Sequence, residues 1–311
     1  MSAAPQTATP VAKPPLRPRE LEDWLNFHIY HPLAWRLALR LAKTPLTPNM
    51  VSVGGALAIW AAALAYAQPG WPLPALIGML LHMSWHVIDG ADGDLARITG
   101  RVSPIGEMVD GICDYVGHIV LYLVLGWLLA GQVPASQLSG STPGWGAWAL
   151  MLAAAASHIA QSNHVEVQRR AYQWWVYAKP WLRTSHEAAD APTRGGLLGA
   201  LAAFYLSVAG KVAGDTARID AAIARSDEDP AARARIAAAA KAECVPLMPL
   251  LNLLGPNPRA PALGLAMLAG SPAWYFVWQV VVLNLLLAWS IHVHNRATTR
   301  ILERIGGTGR G

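Results

Sequence analysis

The sequence is poor in charged residues, in cysteine and, at its start, in hydrophobic residues. Only 14% of its 311 residues are Asp, Glu, Lys or Arg, whereas 54% are hydrophobic. This balance excludes an ordinary soluble domain and indicates an integral membrane protein. Cys113 and Cys244 lie in different segments, so we expect two reduced thiols and no disulfide framework. Residues 1–18 are rich in Ala, Pro and Thr, which predicts a disordered start rather than a cleaved signal peptide.

Residues 19–46 form an amphipathic segment before the first long hydrophobic run. Leucines recur every four residues from Leu33 to Leu41, with Arg36 and Arg40 between them. This pattern predicts a juxtamembrane helix that lies flat on the membrane surface, with its basic side chains toward lipid phosphates. The alternative is a helical cap in solution.

Hydrophobic runs predict an all-α bundle of six transmembrane helices, four in residues 47–166 and two in residues 244–295. Thr47 and Pro48 are typical of a helix start. The fifth run is shorter than the roughly 20 residues that a span needs, so we expect it to form a hairpin with the sixth that turns at Gly270. The expected spans are 49–67, 73–99, 104–131, 145 to beyond 164, 260–270 and 274–294.

Lysine and arginine are absent from two links, 68–72 and 132–144. Six such residues precede the first span, and the tail 296–311 carries four arginines. Because basic residues mark the cytoplasmic side of a membrane protein, we expect both termini and the link 97–104 in the cytoplasm. The expected location is the inner membrane of a bacterium.

Residues 167–243 are predicted to be a cytoplasmic helical insertion. Two helices are expected, one over 195–226 and one from Pro230, with Asp229 as the N-cap. The hydrophobic run 197–209 is expected to press on the membrane, and a seventh crossing there is the alternative.

The stretch 89–114 concentrates charge between two hydrophobic runs. Six acidic residues and two arginines leave a net charge of −4 in 26 residues. Residues three or four apart share one face of a helix, so four carboxylates are predicted to converge near the membrane surface. One face holds Asp89, Asp92, Gly93, Ala96 and Arg97, and the facing one holds Gly106, Asp110 and Asp114.

Converging carboxylates repel one another unless cations lie between them. Two divalent ions would neutralise the stretch, and all-oxygen ligands suit Mg²⁺ or Mn²⁺ rather than zinc. Small residues on both faces leave room for a ligand, and Arg97 offers a fork for phosphate. The pattern therefore indicates a diphosphate site, and the alternative is a solvated acidic loop. That alternative is the favoured interpretation for Asp94 and Glu107.

The spacing D-x2-D-G-x2-A-R-x8-G-x3-D-x3-D over residues 89–114 resembles the signature of the CDP-alcohol phosphotransferases at each of its eight fixed positions. The helix start at Thr47, Pro48 and Asn49 and the six-span layout also resemble that family. The segment 167–243 is left outside the resemblance.

The resemblance implies an enzyme of phospholipid synthesis that moves a substituted phosphate from a CDP-linked donor to an alcohol and releases CMP. It implies two bound metal ions and Asp114 as the general base. A membrane-embedded homodimer is expected, without a nucleic-acid partner. The implied metal ligands are Asp89, Asp92, Asp110 and Asp114. The implied nucleotide-binding residues are Gly93, Ala96, Arg97 and Gly106, with Asn49 and Ser52 as further candidates.

The donor class stays open between two branches of that family. CDP-diacylglycerol with a polar alcohol is the favoured pair, and a CDP-choline or CDP-ethanolamine donor with a lipid alcohol is the alternative. Residues 103–114 resemble the second branch, but Asp94 and Leu95 replace its usual Lys-Gln, and Tyr115 replaces the Arg typical of the inositol-phosphate branch. A magnesium-dependent prenyltransferase is a remote alternative. Such an enzyme would show two separate Asp-rich motifs, whereas this sequence has one compact motif.

A phosphorylated acceptor would need further basic groups at the site. Arg169 and Arg170 follow the fourth span, and Arg259 opens the fifth. Each is a candidate ligand for an acceptor phosphate, and anchoring to lipid headgroups is the alternative for each.

Overall fold

The computed structural model describes residues 18–102, 104–132, 144–179, 216–226 and 229–306. Within these ranges every regular element is helical, as the sequence predicts. The predictions for residues 1–17 and for the run 197–209 lie outside them. The α-helices in these ranges are α1 (His31–Leu41), α2 (Pro48–Tyr66), α3 (Leu73–Thr99), α4 (Pro104–Gly131), α5 (Trp145–Tyr177), α6 (Thr216–Arg225), α7 (Pro230–Cys244), α8 (Met248–Leu254), α9 (Arg259–Leu268), α10 (Ala273–Val277) and α11 (Asn284–Gly306).

Two predicted helix starts are confirmed by their capping bonds. The Thr47 hydroxyl accepts the backbone N–H of Met50, and Pro48 occupies the first turn of α2. The Asp229 carboxylate accepts two backbone N–H groups of α7, which begins at Pro230. Both caps satisfy N–H groups that have no partner inside the helix, which is why a short polar residue followed by proline marks these starts.

Among the described residues, four helical stretches are long and hydrophobic enough to cross a membrane. They are Pro48–Tyr66, Met108–Gly131, Pro230–Leu268 and Ala273–Gly306. This set is consistent with an integral membrane protein. Helix α9, the expected fifth span, has ten residues, which is about 15 Å of helix and half of a bilayer core. The count of six spans therefore stays a prediction.

The chain divides into two units, residues 1–124 and 125–311, and α4 runs from the first into the second. In the first unit, α1 and α2 both pack on α3. Ala34 and Ala38 of α1 are buried with Ala91 and Leu95 of α3. Small side chains let helices approach closely, so α1 supports α3 directly beside the acidic stretch. The predicted position of α1 on the membrane surface stays a prediction.

In the second unit, α5 and α11 pack against α7. The Trp175 indole N–H donates to Asp220 Oδ1 at 2.9 Å, which ties α5 to α6. Glu243 at the end of α7 is buried and forms ion pairs with Arg300 and Arg304 of α11. Helices α6 and α7 of segment 167–243 are therefore attached to α5 and α11 by polar contacts.

The Glu243 ion pairs give a prediction about stability. Glu243→Gln is expected to lower the free energy of unfolding by about 1–2 kcal/mol, because two charge-assisted hydrogen bonds are weakened and solvent screens the half-exposed arginines. Thermal unfolding in detergent measures the change. Glu303→Gln, at an exposed position of α11, is the matched control, and equal melting temperatures for the two variants would contradict the prediction.

Candidate active site

Three carboxylates of the first unit lie together at one end of α3 and α4. One oxygen each of Asp89, Asp92 and Asp110 lies within 4.8 Å of the other two. The turn that brings the helices together starts at Gly100, whose φ of +66° is readily adopted only by glycine. The predicted approach of the two acidic faces is therefore present in the structure.

Asp114, one turn after Asp110, lies beside this cluster. Its carboxylate lies near those of Asp110, Asp92 and Asp89. Its Oδ1 accepts a hydrogen bond of 2.9 Å from the indole N–H of Trp85. All four predicted aspartates thus meet, but three form the tight cluster and the fourth is held by an indole.

These residues fit divalent metal ions by their chemistry. Carboxylate oxygens are hard ligands that suit Mg²⁺ or Mn²⁺, and the cluster spacing places three of them within reach of one cation. Several carboxylates this close together are costly without positive charge among them. Asp89, Asp92 and Asp110 could therefore hold a divalent metal ion.

Ser52 of α2 contacts the cluster. Its hydroxyl is 2.6 Å from Asp92 Oδ2 and 3.3 Å from the Pro48 carbonyl. A hydroxyl carries one proton, and the shorter contact identifies Asp92 as the acceptor. Ser52, which the sequence places in the nucleotide pocket, therefore orients a candidate metal ligand.

Ser52→Ala is expected to weaken metal binding about 10- to 100-fold, the usual loss when a group that orients a metal ligand is removed. Titration of Mn²⁺ by electron paramagnetic resonance measures the affinity directly. Ser84→Ala is the control, because the Ser84 hydroxyl donates to the Leu81 carbonyl of its own helix. Unchanged Mn²⁺ affinity in Ser52→Ala would show that Ser52 does not orient a metal ligand.

Four of the predicted nucleotide-binding residues share helices with the cluster: Gly93, Ala96 and Arg97 lie on α3, and Gly106 lies on α4. Arg97 Nη2 donates to Asp94 Oδ1 at 2.6 Å, and its guanidinium lies over Gly93, where an added Cβ would be 3.6 Å from Nη1. Asp94, for which a solvated acidic loop was the favoured interpretation, therefore forms a specific ion pair with Arg97. Ala96 and Gly106 are half-buried, and Asn49 is exposed in the first turn of α2.

Two of the three candidate acceptor-binding arginines lie near the end of α5 in the second unit. Arg169 Nη2 donates to Asn252 Oδ1 at 2.7 Å. Arg170 Nε donates to Glu166 Oε1 at 2.6 Å, and both of these side chains are about half exposed. The Arg170 guanidinium is thus the more accessible to an incoming anion.

Arg259, at the start of α9, is 3% exposed. Its guanidinium donates to the side-chain oxygens of Gln161 and Gln279 at 2.9 and 3.1 Å. It also donates to the carbonyl groups of Leu254 and Gly255. Gln279 is buried and lies in the π-helical segment Trp278–Leu283. The structure therefore places Arg259 in a buried polar network that joins α9, α5 and this segment.

Two further residues, absent from the sequence predictions, contact Asp114. Trp85 lies one turn before Asp89, and its spacing continues the acidic face of α3. His118 lies one turn after Asp114 and its Nδ1 is 2.8 Å from the Asp114 carbonyl oxygen. Extending each i, i+4 series by one turn away from the link between α3 and α4 finds both residues.

Comparison with known proteins agrees with this geometry. The family model for CDP-alcohol phosphatidyltransferase matches residues 45–212. The prediction that the resemblance excludes segment 167–243 is therefore wrong for residues 167–212, and residues 213–243 lie outside the match. Archaetidylinositol phosphate synthase of Aeropyrum pernix is 31% identical over 99 residues, 29% of this chain and 47% of that protein. Cholinephosphotransferase 1 of Gallus gallus is 27% identical over 135 residues, 40% of this chain and 35% of that protein.

The alignments span less than half of each curated relative. The family model covers just over half of the 311 residues and contains the whole acidic stretch. With the clustered carboxylates in the positions that the signature requires, the chain belongs to the CDP-alcohol phosphatidyltransferase family, whose members transfer phosphate-containing groups.

Proposed function

We propose that this protein transfers a substituted phosphate from a CDP-linked donor to the hydroxyl of an alcohol and releases CMP. The observation that carries the proposal is the cluster of Asp89, Asp92 and Asp110, with Asp114 beside it. The cluster offers oxygen ligands for divalent cations, and such cations also bind a diphosphate. Asp114 offers a carboxylate that can accept a proton.

Asp89, Asp92 and Asp110 would hold two Mg²⁺ or Mn²⁺ ions, with Asp114 near the second. When bound, such ions neutralise the diphosphate and the charge that develops on the leaving phosphate. Ser52 keeps one Asp92 oxygen in place through its hydrogen bond.

Asp114 would act as the general base. Its carboxylate takes the proton of the acceptor hydroxyl as the alcohol oxygen forms a bond to the β-phosphorus of the donor. The bond from that phosphorus to the bridging oxygen breaks, and CMP leaves with the bonding electrons.

The nucleotide pocket would be formed by the residues around the cluster. Gly93, Ala96 and Gly106 leave the helix backbones open to close approach. Arg97 would turn from Asp94 to a phosphate oxygen, an exchange of one charge-assisted hydrogen bond for another. Asn49 and Ser52, near the start of α2, are further candidates for contact with the nucleotide.

A phosphorylated acceptor would be bound by arginines of the second unit. Arg170 is the most exposed of the three candidates, and solvent weakens its ion pair with the half-exposed Glu166. Arg169 and Arg259 would first have to exchange hydrogen bonds to protein oxygens. Loss of activity in Arg170→Gln only with phosphorylated acceptors would support this assignment.

The favoured donor is CDP-diacylglycerol, with a polar alcohol as acceptor. The alternative is a CDP-choline or CDP-ethanolamine donor with a lipid alcohol such as diacylglycerol. The two relatives divide in the same way, since one name contains inositol phosphate and the other choline. The protein would act as a homodimer of six-span subunits in a bacterial inner membrane, with both termini and the active site in the cytoplasm.

The proposed domain organisation follows from the same layout. The segments are a disordered start (1–18), juxtamembrane helices (19–46), spans one to four (47–166), a cytoplasmic insertion (167–243), spans five and six (244–295) and a basic tail (296–311).

CMP release by the purified protein with Mg²⁺ or Mn²⁺ tests the proposal. One series offers CDP-diacylglycerol with serine, glycerol 3-phosphate, inositol and inositol 1-phosphate. The second offers CDP-choline and CDP-ethanolamine with diacylglycerol. Turnover in one series identifies the donor class, and a preparation that binds Mn²⁺ but releases no CMP in either series would contradict the proposed reaction.

A further inference from the structure

The contact between Trp85 and Asp114 has a chemical consequence for the proposed reaction. The Trp85 side chain is buried at 6% exposure, and its indole N–H donates to Asp114 Oδ1 at 2.9 Å. We infer that Trp85 is a positioning residue, which fixes the orientation of the Asp114 carboxylate, the proposed general base, by donating to its Oδ1. This inference rests on the proposed function and adds the side chain that orients its base.

An indole N–H is suited to this task because it only donates. It has no lone pair to accept a proton, so it does not compete with Asp114 as a base. The terminal torsion of an aspartate is broad and nearly two-fold, and a single charge-assisted hydrogen bond selects one orientation of the carboxylate plane. The two oxygens of Asp114, equivalent in an isolated side chain, thereby acquire different surroundings.

Trp85 is itself held on several sides. Its ring meets the His118 ring edge to face, with centroids 4.7 Å apart and planes at 79°, and the His118 Nδ1 is bonded to the Asp114 carbonyl. The His86 ring lies 4.5 Å away by centroids. On the α2 side, a Cβ added to Gly55 would be 3.3 Å from Trp85 Cδ1. The indole therefore has little room to move, and Asp114 accepts a hydrogen bond from a donor whose position is fixed.

The competing explanation is that Trp85 only packs α3 against α2 and α4. Trp85→Phe separates the two explanations, because phenylalanine keeps an aromatic ring and removes the N–H. A packing residue would change thermal stability. A positioning residue would change kcat while leaving the KM for the CDP-linked donor and the affinity for Mn²⁺ unchanged.

The first measurement does not depend on activity. In protein labelled with nitrogen-15 at tryptophan, the indole resonance that disappears in Trp85→Phe belongs to Trp85. Asp114→Asn is expected to move that resonance, because an amide oxygen is a weaker acceptor than a carboxylate. Trp60→Phe, which removes a partly exposed indole of α2, is the control for the assignment. A Trp85 resonance that stays in place in Asp114→Asn would overturn the inference.

The second measurement is the kinetics of CMP release. Trp85→Phe is expected to lower kcat about 10- to 100-fold, with the donor KM and the Mn²⁺ affinity within about two-fold of the unmodified protein. Gly55→Ala, which pushes on the ring without removing the N–H, is expected to lower kcat several-fold in the same way. It carries the test if Trp85→Phe does not fold.

Unchanged kcat in these variants, or a parallel loss of Mn²⁺ binding, would overturn the positioning role while the proposed function stands. Absence of CMP release by the unmodified protein would instead overturn the proposed function, and this inference with it. The two failures are thus distinguished by the unmodified protein.

Discussion

Asp110→Asn is expected to abolish CMP release and to weaken Mn²⁺ binding by more than about 100-fold. Asp110 is the member of the carboxylate cluster that comes from α4, whereas Asp89 and Asp92 both come from α3. Asp110→Asn therefore removes the cluster's carboxylate from the α4 side and leaves only the two carboxylates of α3. Loss of a group that merely orients a metal ligand costs 10- to 100-fold, and loss of the ligand itself is expected to cost more.

Two measurements check the effect of Asp110→Asn. Mn²⁺ titration by electron paramagnetic resonance reports binding without catalysis, and CMP release reports the reaction. Asp229→Asn is the matched control, because asparagine caps a helix as well as aspartate does and Asp229 serves as the cap of α7. If Asp110→Asn bound Mn²⁺ with the affinity of the unmodified protein, the metal site would have to lie elsewhere.

Asp114→Asn is expected to lower kcat by about 10²- to 10⁴-fold, the range over which a positioned general base contributes. Asparagine keeps the shape of the side chain and an oxygen for the Trp85 N–H, but it cannot take a proton at neutral pH. The three-carboxylate cluster remains intact in this variant, so we expect Mn²⁺ still to bind.

The comparison of Asp110→Asn with Asp114→Asn separates the two roles. The former is expected to lose metal binding and activity together, and the latter to lose activity with most of the metal binding retained. Equal loss of Mn²⁺ binding in both variants would make Asp114 chiefly a metal ligand. Full activity of Asp114→Asn would exclude it as the base.

Much of the local structure could be predicted because its causes are local. The bounds 73–99 and 104–131 agree with α3 and α4, and the fourth helix continues past residue 164 as expected. Hydrophobic runs, capping residues and proline at the first turn are read directly along the chain. The four aspartates of the signature could be found for the same reason. An i, i+3 spacing places Asp89 and Asp92 on one face of α3, and an i, i+4 spacing places Asp110 and Asp114 on one face of α4, whatever surrounds these helices.

Contacts between distant segments could not be predicted in this way. Ser52 and Asp92 are separated by 40 residues, and nothing in the sequence around Ser52 indicates a carboxylate partner. Arg259 was expected at the start of a helix, and it lies there, but its contacts with Gln161 and Gln279 depend on how three helical segments pack.

The sequence by itself determined the hydrophobic character of this protein, the helices of its described residues and the spacing of its acidic signature, because composition and helical periodicity need no partner. The tertiary structure alone decided which side chains restrain the reactive ones. Trp85 reaches Asp114, and Ser52 reaches Asp92, only because α2, α3 and α4 pack closely enough for hydrogen bonds of 2.9 and 2.6 Å. Such bonds depend on distances between helices, and those distances are set by packing.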